Sequence, residues 1–421
     1  MIKRIAGIVF VFVCVAAAWL FLGATVEIRT RGQDSKLRGA VGQLWGVAQH
    51  QEAPSAFYVT REPVVREESA GGEGEGDRKR GPRFRDVRHD LPLAGTVADA
   101  DLHLEQRRKG LLWYPTYRVR FSATYRIANP TSEAHTAVFC LPLPARDAVY
   151  DDFRVEVGGS PLADVPVNDA HVRVELPVPA GGENTVAVAY TSQGMDDWWY
   201  AFGASVRSVR DFRLTVRTDF EGVDFPLGAM APTEKAREGK GWRLTWSYAN
   251  LLSGVQVGVA MPRKLNPGPW VSEVTFAAPV SLFLYFFLIF IVTTRRGIRL
   301  HPMHYFFVGA AYFSFHLMLA YLVDHLPVWA AFTIASAVSL GLVASYLRLV
   351  AGPRFAFAEA GIAQAIYQVL FSATFFLEAY TGLSITILCV LTLAVVMQAT
   401  ARVDWEALFR QGGTAGGLVG G

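Results

Sequence analysis

Six apolar segments, each close to the length that crosses a bilayer, limit what this chain can fold into. The first runs from Ile5 to Gly23, directly after Lys3 and Arg4, and the other five follow one another between Phe276 and Ala399. A helix of about 20 residues, at about 1.5 Å per residue, crosses a hydrocarbon core of about 30 Å. We therefore predict one N-terminal transmembrane helix and a C-terminal bundle of about five more, with a long polar region between them.

The predicted boundaries follow the change in composition along the chain, because the charged residues (18% overall) are concentrated between the first and second apolar segments. We predict a cytoplasmic N-terminus at 1–4, a transmembrane signal anchor at 5–26, an external β-rich domain at 27–272, a bundle at 273–401 and a cytoplasmic tail at 402–421. The bundle helices are predicted at about 276–292, 303–323, 328–347, 360–377 and 383–399. The anchor is expected to stay uncleaved, because Leu22-Gly23-Ala24 is a poor cleavage site.

The positions of Lys and Arg predict the orientation of these helices. If the N-terminus is cytoplasmic, alternate connections return to the same side and carry Arg295, Arg296, Arg299, Arg348, Arg354 and Arg402. The two remaining short connections, at Asp324 and Glu378, contain no Lys or Arg. Short cytoplasmic connections are enriched in these residues. The pattern thus predicts a multi-pass plasma-membrane protein with its large domain outside.

Charge and cysteine content exclude several classes of protein. The formal net charge is +3, and the run Arg78-Lys79-Arg80 lies in a Gly- and Glu-rich stretch that we interpret as a flexible loop at 69–84. No clustered basic face indicates a nucleic-acid partner. Cys14 and Cys389 lie in apolar segments, so Cys140 has no partner for a disulfide within the external domain. No nucleophile elbow, phosphate loop or metalloprotease motif is present, so we expect neither catalysis nor a cofactor.

The external region changes its hydrophobic period along the chain. Gly32–His50 carries an apolar stripe at helical spacing, which we expect to pack on the domain rather than on the membrane surface. After the loop the period becomes two, as in Tyr117–Arg126, where apolar and polar residues alternate. Such strands bury one face and expose the other. Repeated strands of this kind, separated by glycine and proline turns, predict an antiparallel sandwich.

Two regions also resemble a known family. Glu105-Gln-Arg-Arg-Lys-Gly110 runs into an apolar strand that contains Pro115 and Tyr117, and Arg299-Leu-His-Pro-Met-His-Tyr305 opens a bundle helix. These segments, together with an acidic-His turn and a closing basic-x-Asp-Trp, are similar to motifs of CreD-type inner-membrane proteins. The residues that carry the resemblance are Arg107, Lys109, Gly110, Pro115, Tyr117, His301, Pro302, Tyr305, Gly309, Asp324, His325, Asp404 and Trp405. The resemblance implies an inner-membrane protein linked to envelope integrity, stress tolerance and colicin tolerance, and it implies no particular reaction.

The bundle contains three sets of candidate residues. His301 and His304 lie on one turn and are weak metal candidates, because a closed site needs about four ligands; a helix start with interfacial contacts is the alternative. His316, Gln364, Gln368 and Glu359 could form an intramembrane polar stripe for protons or ions, or could simply form hydrogen bonds between helices. Ala337, Gly341 and Ser345, spaced by four, predict a close helix contact.

In the external domain the candidate recognition segment is Asp196-Asp197-Trp198-Trp199-Tyr200. Adjacent tryptophans with acids could bind sugars or a basic partner; alternatively, one Trp points into the core and the other covers its rim.

Three functional hypotheses follow. The first is a non-enzymatic envelope-integrity protein that lies in membrane lipid and engages other envelope proteins or cell-wall material. The second is a small channel or transporter that uses the polar stripe. The third is a transferase acting on a lipid-linked substrate, with Asp324 and Glu378 at the outer face. The sequence does not fix the oligomeric state.

Overall fold

The computed structural model describes residues 2–63, 84–203, 207–377 and 379–401. The predicted flexible loop, apart from Phe84, lies outside the described residues, as do Glu378 and the tail with Arg402, Asp404 and Trp405. The chain divides into two compact units. Residues 37–264 form a β unit, and residues 1–36 with those from 265 onward form a helical unit. Residues 27–36 and 265–272, predicted to belong to the external domain, therefore belong to the helical unit.

The first helix, α1, extends without interruption over Ile2–Trp45. It merges the two helices predicted at 5–26 and Gly32–His50, because no proline separates them and an isolated glycine such as Gly32 only weakens a helix. The helix ends before His50 because Gly46 has a φ of +96°, a left-handed conformation that terminates helices. The Gly46 amide donates to the Gly42 carbonyl at 3.0 Å and closes the last turn.

The strands of the β unit alternate buried and exposed side chains as the period of two predicts. In β5, Tyr117, Val119 and Phe121 are buried while Arg118 and Arg120 are exposed. The described strands are β1 (Gln49–Glu52), β2 (Ser55–Pro63), β3 (Phe84–Leu91), β4 (Leu93–Lys109), β5 (Leu112–Ala128), β6 (His135–Pro142), β7 (Tyr150–Val157), β8 (Ser160–Pro161), β9 (Val167–Asn168), β10 (His171–Val178), β11 (Glu183–Met195), β12 (Asp197–Ala201), β13 (Arg207–Thr218), β14 (Glu234–Glu238), β15 (Gly241–Ser253) and β16 (Val257–Ala260).

These strands form three sheets with orders β1-β12-β16, β3-β2-β6-β10-β9 and β14-β15-β13-β4-β5-β11-β7-β8. Most neighbouring strands are antiparallel, but β1 pairs with β12 and β4 pairs with β13 in parallel. The mainly-β prediction is confirmed, whereas the purely antiparallel arrangement is wrong at these two pairs. Parallel neighbours need long crossover connections, and here each pair joins segments more than 100 residues apart.

One continuous core draws side chains from all three sheets. Phe139 of β6, Trp198 of β12 and Trp246 of β15 are fully buried members of the same cluster. Aromatic side chains bury large apolar areas, so such a core can hold the unit without a cross-link. Cys140, the one cysteine of the β unit, is a free thiol in β6.

The helical unit continues with α2 (Pro267–Arg295), α3 (Pro302–Leu322), α4 (Val328–Ala351) and, after a fifth segment, α6 (Thr381–Thr400). The fifth segment, α5 (residues 355–376), is helical throughout but mixed. Its turns are π at Phe355–Gly361 and Ala365–Leu370, α at Ile362–Gln364 and Phe371–Ala373, and 3-10 at Thr374–Phe376. Among the described residues, α1, α2, α3, α4 and α6 are long and apolar enough to cross a membrane.

Aromatic side chains also fill the centre of the helical unit. Trp19 of α1 meets Tyr312 of α3 edge to face at 6.0 Å between ring centroids, and Tyr285 of α2 lies 5.3 Å from the same ring. All three residues are fully buried. The N-terminal helix thus packs into the unit through Trp19.

Replacement of Gly46 by alanine is expected to destabilise the β unit. A Cβ at this position would lie 2.2 Å from the Gln193 carbonyl oxygen, and φ is positive. A non-glycine residue in such a conformation costs about 1–3 kcal/mol. Thermal unfolding of the purified protein, followed by tryptophan fluorescence, measures the effect. Gly39→Ala is the matched control, because nothing in the described part of the chain lies within 4 Å of its added Cβ. Equal melting temperatures for the two variants would contradict this explanation.

Candidate functional site

The predicted recognition segment consists of Asp196 and the first four residues of β12, where alternation sends its three aromatic residues to opposite faces. Trp198 and Tyr200 are 0% and 1% exposed and belong to the core. Trp199 points the other way and is only partly buried. The Trp198 ring therefore lies in the core, and the Trp199 ring is accessible at the surface. Burial also raises the pKa of the Tyr200 hydroxyl above its ordinary value, so this tyrosine stays neutral.

Trp199 is the centre of a flat surface that we name the Trp199 platform, formed by His50, Asp197, Trp199 and Gly258. The register places His50 of β1 and Gly258 of β16 directly beside Trp199. The imidazole of His50 stacks parallel to the indole at 5.8 Å and 7°. A Cβ at Gly258 would lie 2.7 Å from the indole ring, so only glycine lets the ring cover this position. The Trp199 indole Nε1 donates to the Asp197 carboxylate at 2.9 Å, which fixes the ring.

Asp196 joins the same segment to the motif around Arg107. Its carboxylate forms ion pairs with Arg38 of α1 and, at 3.5 Å, with Arg263. Its backbone is left-handed, with a φ of +71°, and its amide donates to the Pro115 carbonyl at 3.0 Å. The side chain is 15% exposed. Asp196 is thus a structural anchor of the cluster rather than a free recognition residue.

The motif residues of the β unit lie around this anchor. The Arg107 guanidinium lies 3.5 Å from the centre of the Trp45 ring, and the Tyr117 hydroxyl donates to the Asp197 carbonyl at 2.8 Å. Burial raises the pKa of Tyr117 well above its usual value. Lys109 and Gly110 occupy the end of β4 and the turn into β5. The structure therefore brings Arg107 to the last turn of α1, and Pro115 and Tyr117 to the Asp196-Asp197 segment.

The helical unit contains a connected set of buried polar side chains, which we name the polar network: Ser281, Tyr312, Ser339, Gln364 and Gln368. Gln368 donates to the Tyr312 carbonyl at 2.7 Å and accepts from Ser339 at 2.9 Å and Gln364 at 2.8 Å. Ser281 bonds the Tyr312 hydroxyl. The spacing of the two glutamines predicts their proximity. The partners Ser281, Ser339 and Tyr312 were not predicted, because only tertiary packing brings their helices together.

His316 and Glu359 do not join the hydrogen bonds of this network in the described part of the chain. His316 is 1% exposed, and its ring meets Trp19 at 5.4 Å and Phe315 at 4.7 Å. Its Nδ1 has no hydrogen-bond partner among the described residues. Glu359 instead forms an ion pair with Arg296. The four residues of the predicted stripe therefore take part in separate contacts: Gln364 bonds Gln368, Glu359 pairs with Arg296, and His316 packs on aromatic rings.

A second ion pair lies among the acidic-His turn residues. Arg29 of α1 contacts the Asp324 carboxylate at 3.2 Å and donates to the Ala320 carbonyl at 3.2 Å. His325 follows in the same turn, where its amide donates to the Leu322 carbonyl at 3.0 Å. The carboxylate proposed for a transferase thus has a cationic partner, while its companion Glu378 is outside the described residues.

The two motif histidines have separate structural roles. His301 is the N-cap of α3, and its Nδ1 accepts from the Met303 amide at 3.2 Å, with Pro302 in the first turn. His304 Nδ1 lies 2.8 Å from the Tyr346 hydroxyl. Tyr305 and Gly309 are buried on the packed face of α3. Among the described residues no cluster of three or more His, Cys, Asp or Glu side chains could hold a metal ion.

The small-residue stripe of α4 faces away from its neighbours in the unit. Ala337, Gly341 and Ser345 are exposed. The packed face uses the set Ala331, Ala335, Ser339 and Val343. Both sets have the spacing of four that permits close approach, so the spacing alone did not identify the contact face.

Comparison with known proteins supports the resemblance to an inner-membrane family. The family model of the inner membrane protein CreD matches residues 211–406. The resemblance to CreD is thus shown for somewhat less than half of the chain, from within β13 onward. The match includes the motifs at His301–Gly309, Asp324-His325 and Asp404-Trp405, and it leaves out the motif at Arg107–Tyr117. Over these residues the predicted resemblance is confirmed, and it supports the inner-membrane nature of the protein.

Other comparisons add little to the CreD match. A search of curated proteins gave no significant match. Among solved structures, a candidate nutrient binding protein from Legionella pneumophila aligns with 69% of this chain and 98% of its own, at 8% identity and a TM-score of 0.35. An M1 zinc metallopeptidase from Deinococcus radiodurans aligns with 66% and 95%, at 10% identity and a TM-score of 0.26. These scores are too low to support a shared fold or activity.

Replacement of Gln368 by leucine is expected to destabilise the helical unit. The change removes three hydrogen bonds and leaves Ser339, Gln364 and the Tyr312 carbonyl with fewer partners in an apolar surrounding. Hydrogen bonds between membrane helices contribute about 0.6 kcal/mol each, so the expected loss is about 1–2 kcal/mol. Thermal unfolding in detergent measures it. Ser345→Ala is the control, since among the described residues the exposed Ser345 hydroxyl bonds only the Leu342 carbonyl of its own helix. An equal loss of stability in Ser345→Ala would show that the polar network does not explain the effect of Gln368→Leu.

Proposed function

We propose that this chain is a CreD-like, non-catalytic inner-membrane protein that supports the cell envelope. In this proposal the β unit lies outside the cytoplasm and binds another envelope protein or cell-wall material. The helical unit anchors it in lipid. The family supplies the inner-membrane setting, and the role in envelope integrity is the expectation raised by the sequence resemblance.

The orientation is supported by the distribution of basic residues. Arg295, Arg296 and Arg299 lie between α2 and α3, and Arg348 and Arg354 lie near the junction of α4 and α5. These connections alternate with the turn at Asp324, which contains no Lys or Arg. Transfer of arginine across a bilayer is costly, which favours the cytoplasm for both basic connections.

The Trp199 platform is the observation on which the binding role depends. It presents a partly exposed indole that is held by Asp197, lies over Gly258 and stacks parallel to the imidazole of His50. Flat aromatic faces stack on sugar rings and on cationic side chains, and the adjacent carboxylate can accept hydrogen bonds from either. Both classes are available in cell-wall material and in envelope proteins.

The orientation predicts a definite labelling pattern. In a variant without the three native cysteines, Leu227→Cys in the β unit should react with a membrane-impermeant maleimide applied to the outer face of the inner membrane. Ile298→Cys, between α2 and α3, should react only after lysis. Leu227 is exposed, so its replacement should not disturb folding. The reverse pattern would refute the proposed orientation.

Deletion of the gene in its native host should increase the uptake of a normally excluded hydrophobic dye. The wild-type chain should restore exclusion, and Trp199→Ala should not, because the change removes the central ring of the platform. Phe84→Ala is the matched control for loss of an exposed ring, since Phe84 is 59% exposed at the start of β3. Protein levels are compared by immunoblot. Unchanged dye uptake after deletion would refute the envelope role, and full rescue by Trp199→Ala would refute the platform.

A small channel or transporter is the second candidate, and one observation favours it. Gln364 Oε1, His316 Nδ1 and the Tyr285 hydroxyl are buried in the helical unit with no partner among the described residues. Unsatisfied polar atoms in an apolar interior are costly, and water or a transported solute would satisfy them. The same complementation assay separates the two functions: rescue by Trp199→Ala together with loss in a stably produced Gln368→Leu variant would favour transport.

A further inference from the structure

A cavity of about 430 Å³ lies within the β unit where all three sheets contribute side chains. Tyr200 belongs to the three-stranded sheet, Arg88 to the five-stranded sheet, and Thr96, Arg210 and Phe212 to the eight-stranded sheet. We name this cavity the seam pocket. Its volume is within the range of about 300–1,000 Å³ that is usual for small-molecule sites.

Strand pairing explains why the space stays open. Among the described strands, β13 pairs with β4 from Phe212 onward, while its earlier residues pair with β15 alone. Within the same described set, β3 is the edge of its own sheet and pairs only with β2. The chain crosses from β3 into β4 at Pro92, which has no amide hydrogen to donate. Two incompletely paired strands therefore border the pocket, and neither closes it.

The inner wall of the seam pocket is aromatic and rigid. Tyr200, Phe202 and Phe212 are 1%, 4% and 2% exposed. Their rings contact one another, with centroid separations of 5.7 Å for Tyr200–Phe202 and 4.8 Å for Phe202–Phe212. Close aromatic packing of this kind leaves little freedom for the wall to collapse into the cavity.

The outer wall carries an excess of positive charge. Arg88 forms an exposed ion pair with Asp90 at 2.8 Å, and its guanidinium stacks on Phe57 at 3.8 Å from the ring centre. Arg210 is exposed and has no carboxylate within 4.0 Å in the described part of the chain. Two guanidinium groups and one carboxylate leave one unmatched positive charge. An exposed ion pair contributes little to the free energy of folding, so Arg88 can exchange Asp90 for a ligand anion at low cost.

We propose that the seam pocket binds a small amphipathic anion, with a carboxylate or phosphate at Arg210 and Arg88 and an apolar or aromatic body against the accessible lining residues Pro92, Leu93 and Val209, whose position the buried Tyr200–Phe202–Phe212 cluster supports. Guanidinium groups match the planar, bidentate geometry of both anions. The apolar wall discriminates such a molecule from an inorganic ion. This site is separate from the Trp199 platform, and it does not depend on the envelope role.

Fluorine NMR of the detergent-solubilised full-length protein tests this assignment. The probes are para-trifluoromethylphenyl phosphate and para-trifluoromethylphenylacetate, with neutral para-trifluoromethylbenzyl alcohol to measure partition into micelles. We expect the fluorine resonance of at least one anionic probe to broaden in a saturable way. The probe that binds more tightly identifies the preferred headgroup, phosphate or carboxylate. Arg210→Gln should weaken binding about tenfold, because it removes a charge-assisted contact.

Arg213→Gln is the matched control, because Arg213 is exposed on the same strand and lies outside the pocket lining. Its affinity should stay within about twofold of wild type, and both variants should melt at the wild-type temperature. Equal effects of the two substitutions would overturn the site. The same conclusion follows if the alcohol binds as tightly as the anions, if inorganic phosphate competes at the affinity of the aromatic probes, or if binding never saturates.

Discussion

Burial of apolar side chains stabilises both units. It is favourable only where the backbone and side-chain polar groups that are buried with them form hydrogen bonds. In the β unit the ladders of three sheets pair the backbone, so Phe139, Trp198 and Trp246 can meet in one core. In the helical unit the helices pair their own backbone, and the few polar side chains must find one another. The bonds from Gln368 to Ser339, Gln364 and Tyr312 are the result.

The sequence predicts those parts of the fold that depend on local pattern. Apolar segments of membrane-spanning length correspond to α1–α4 and α6, and alternation along Tyr117–Arg126 corresponds to β5. What could not be predicted depends on distant contacts. Gln49 pairs in parallel with Trp198, and no local signal selects that partner. The continuity of α1 was missed because polar residues between Glu27 and Lys36 end an apolar run without ending a helix.

The candidate sites show the same division. Adjacent tryptophans in a strand face opposite ways, so the sequence left open which ring lies in the core. The structure identifies Trp198 as the buried ring and Trp199 as the partly exposed one. Gln364 and Gln368 share a face because of their spacing, but the choice of Ser339 rather than His316 as their partner comes from the packing of α4. The seam pocket has no sequence signal, because strands from three sheets form it.

The π turns of α5 have a consequence for how this helix can vary. A π turn holds one residue more than the corresponding α turn, and each residue of a regular helix rotates the following side chains by about 100°. Loss of a single residue within Ala365–Leu370 would be absorbed by conversion of the turn to α geometry, so the side chains on the two flanks would keep the same neighbours. Related chains should therefore tolerate a one-residue deletion in this segment better than in the regular α-helices of the unit.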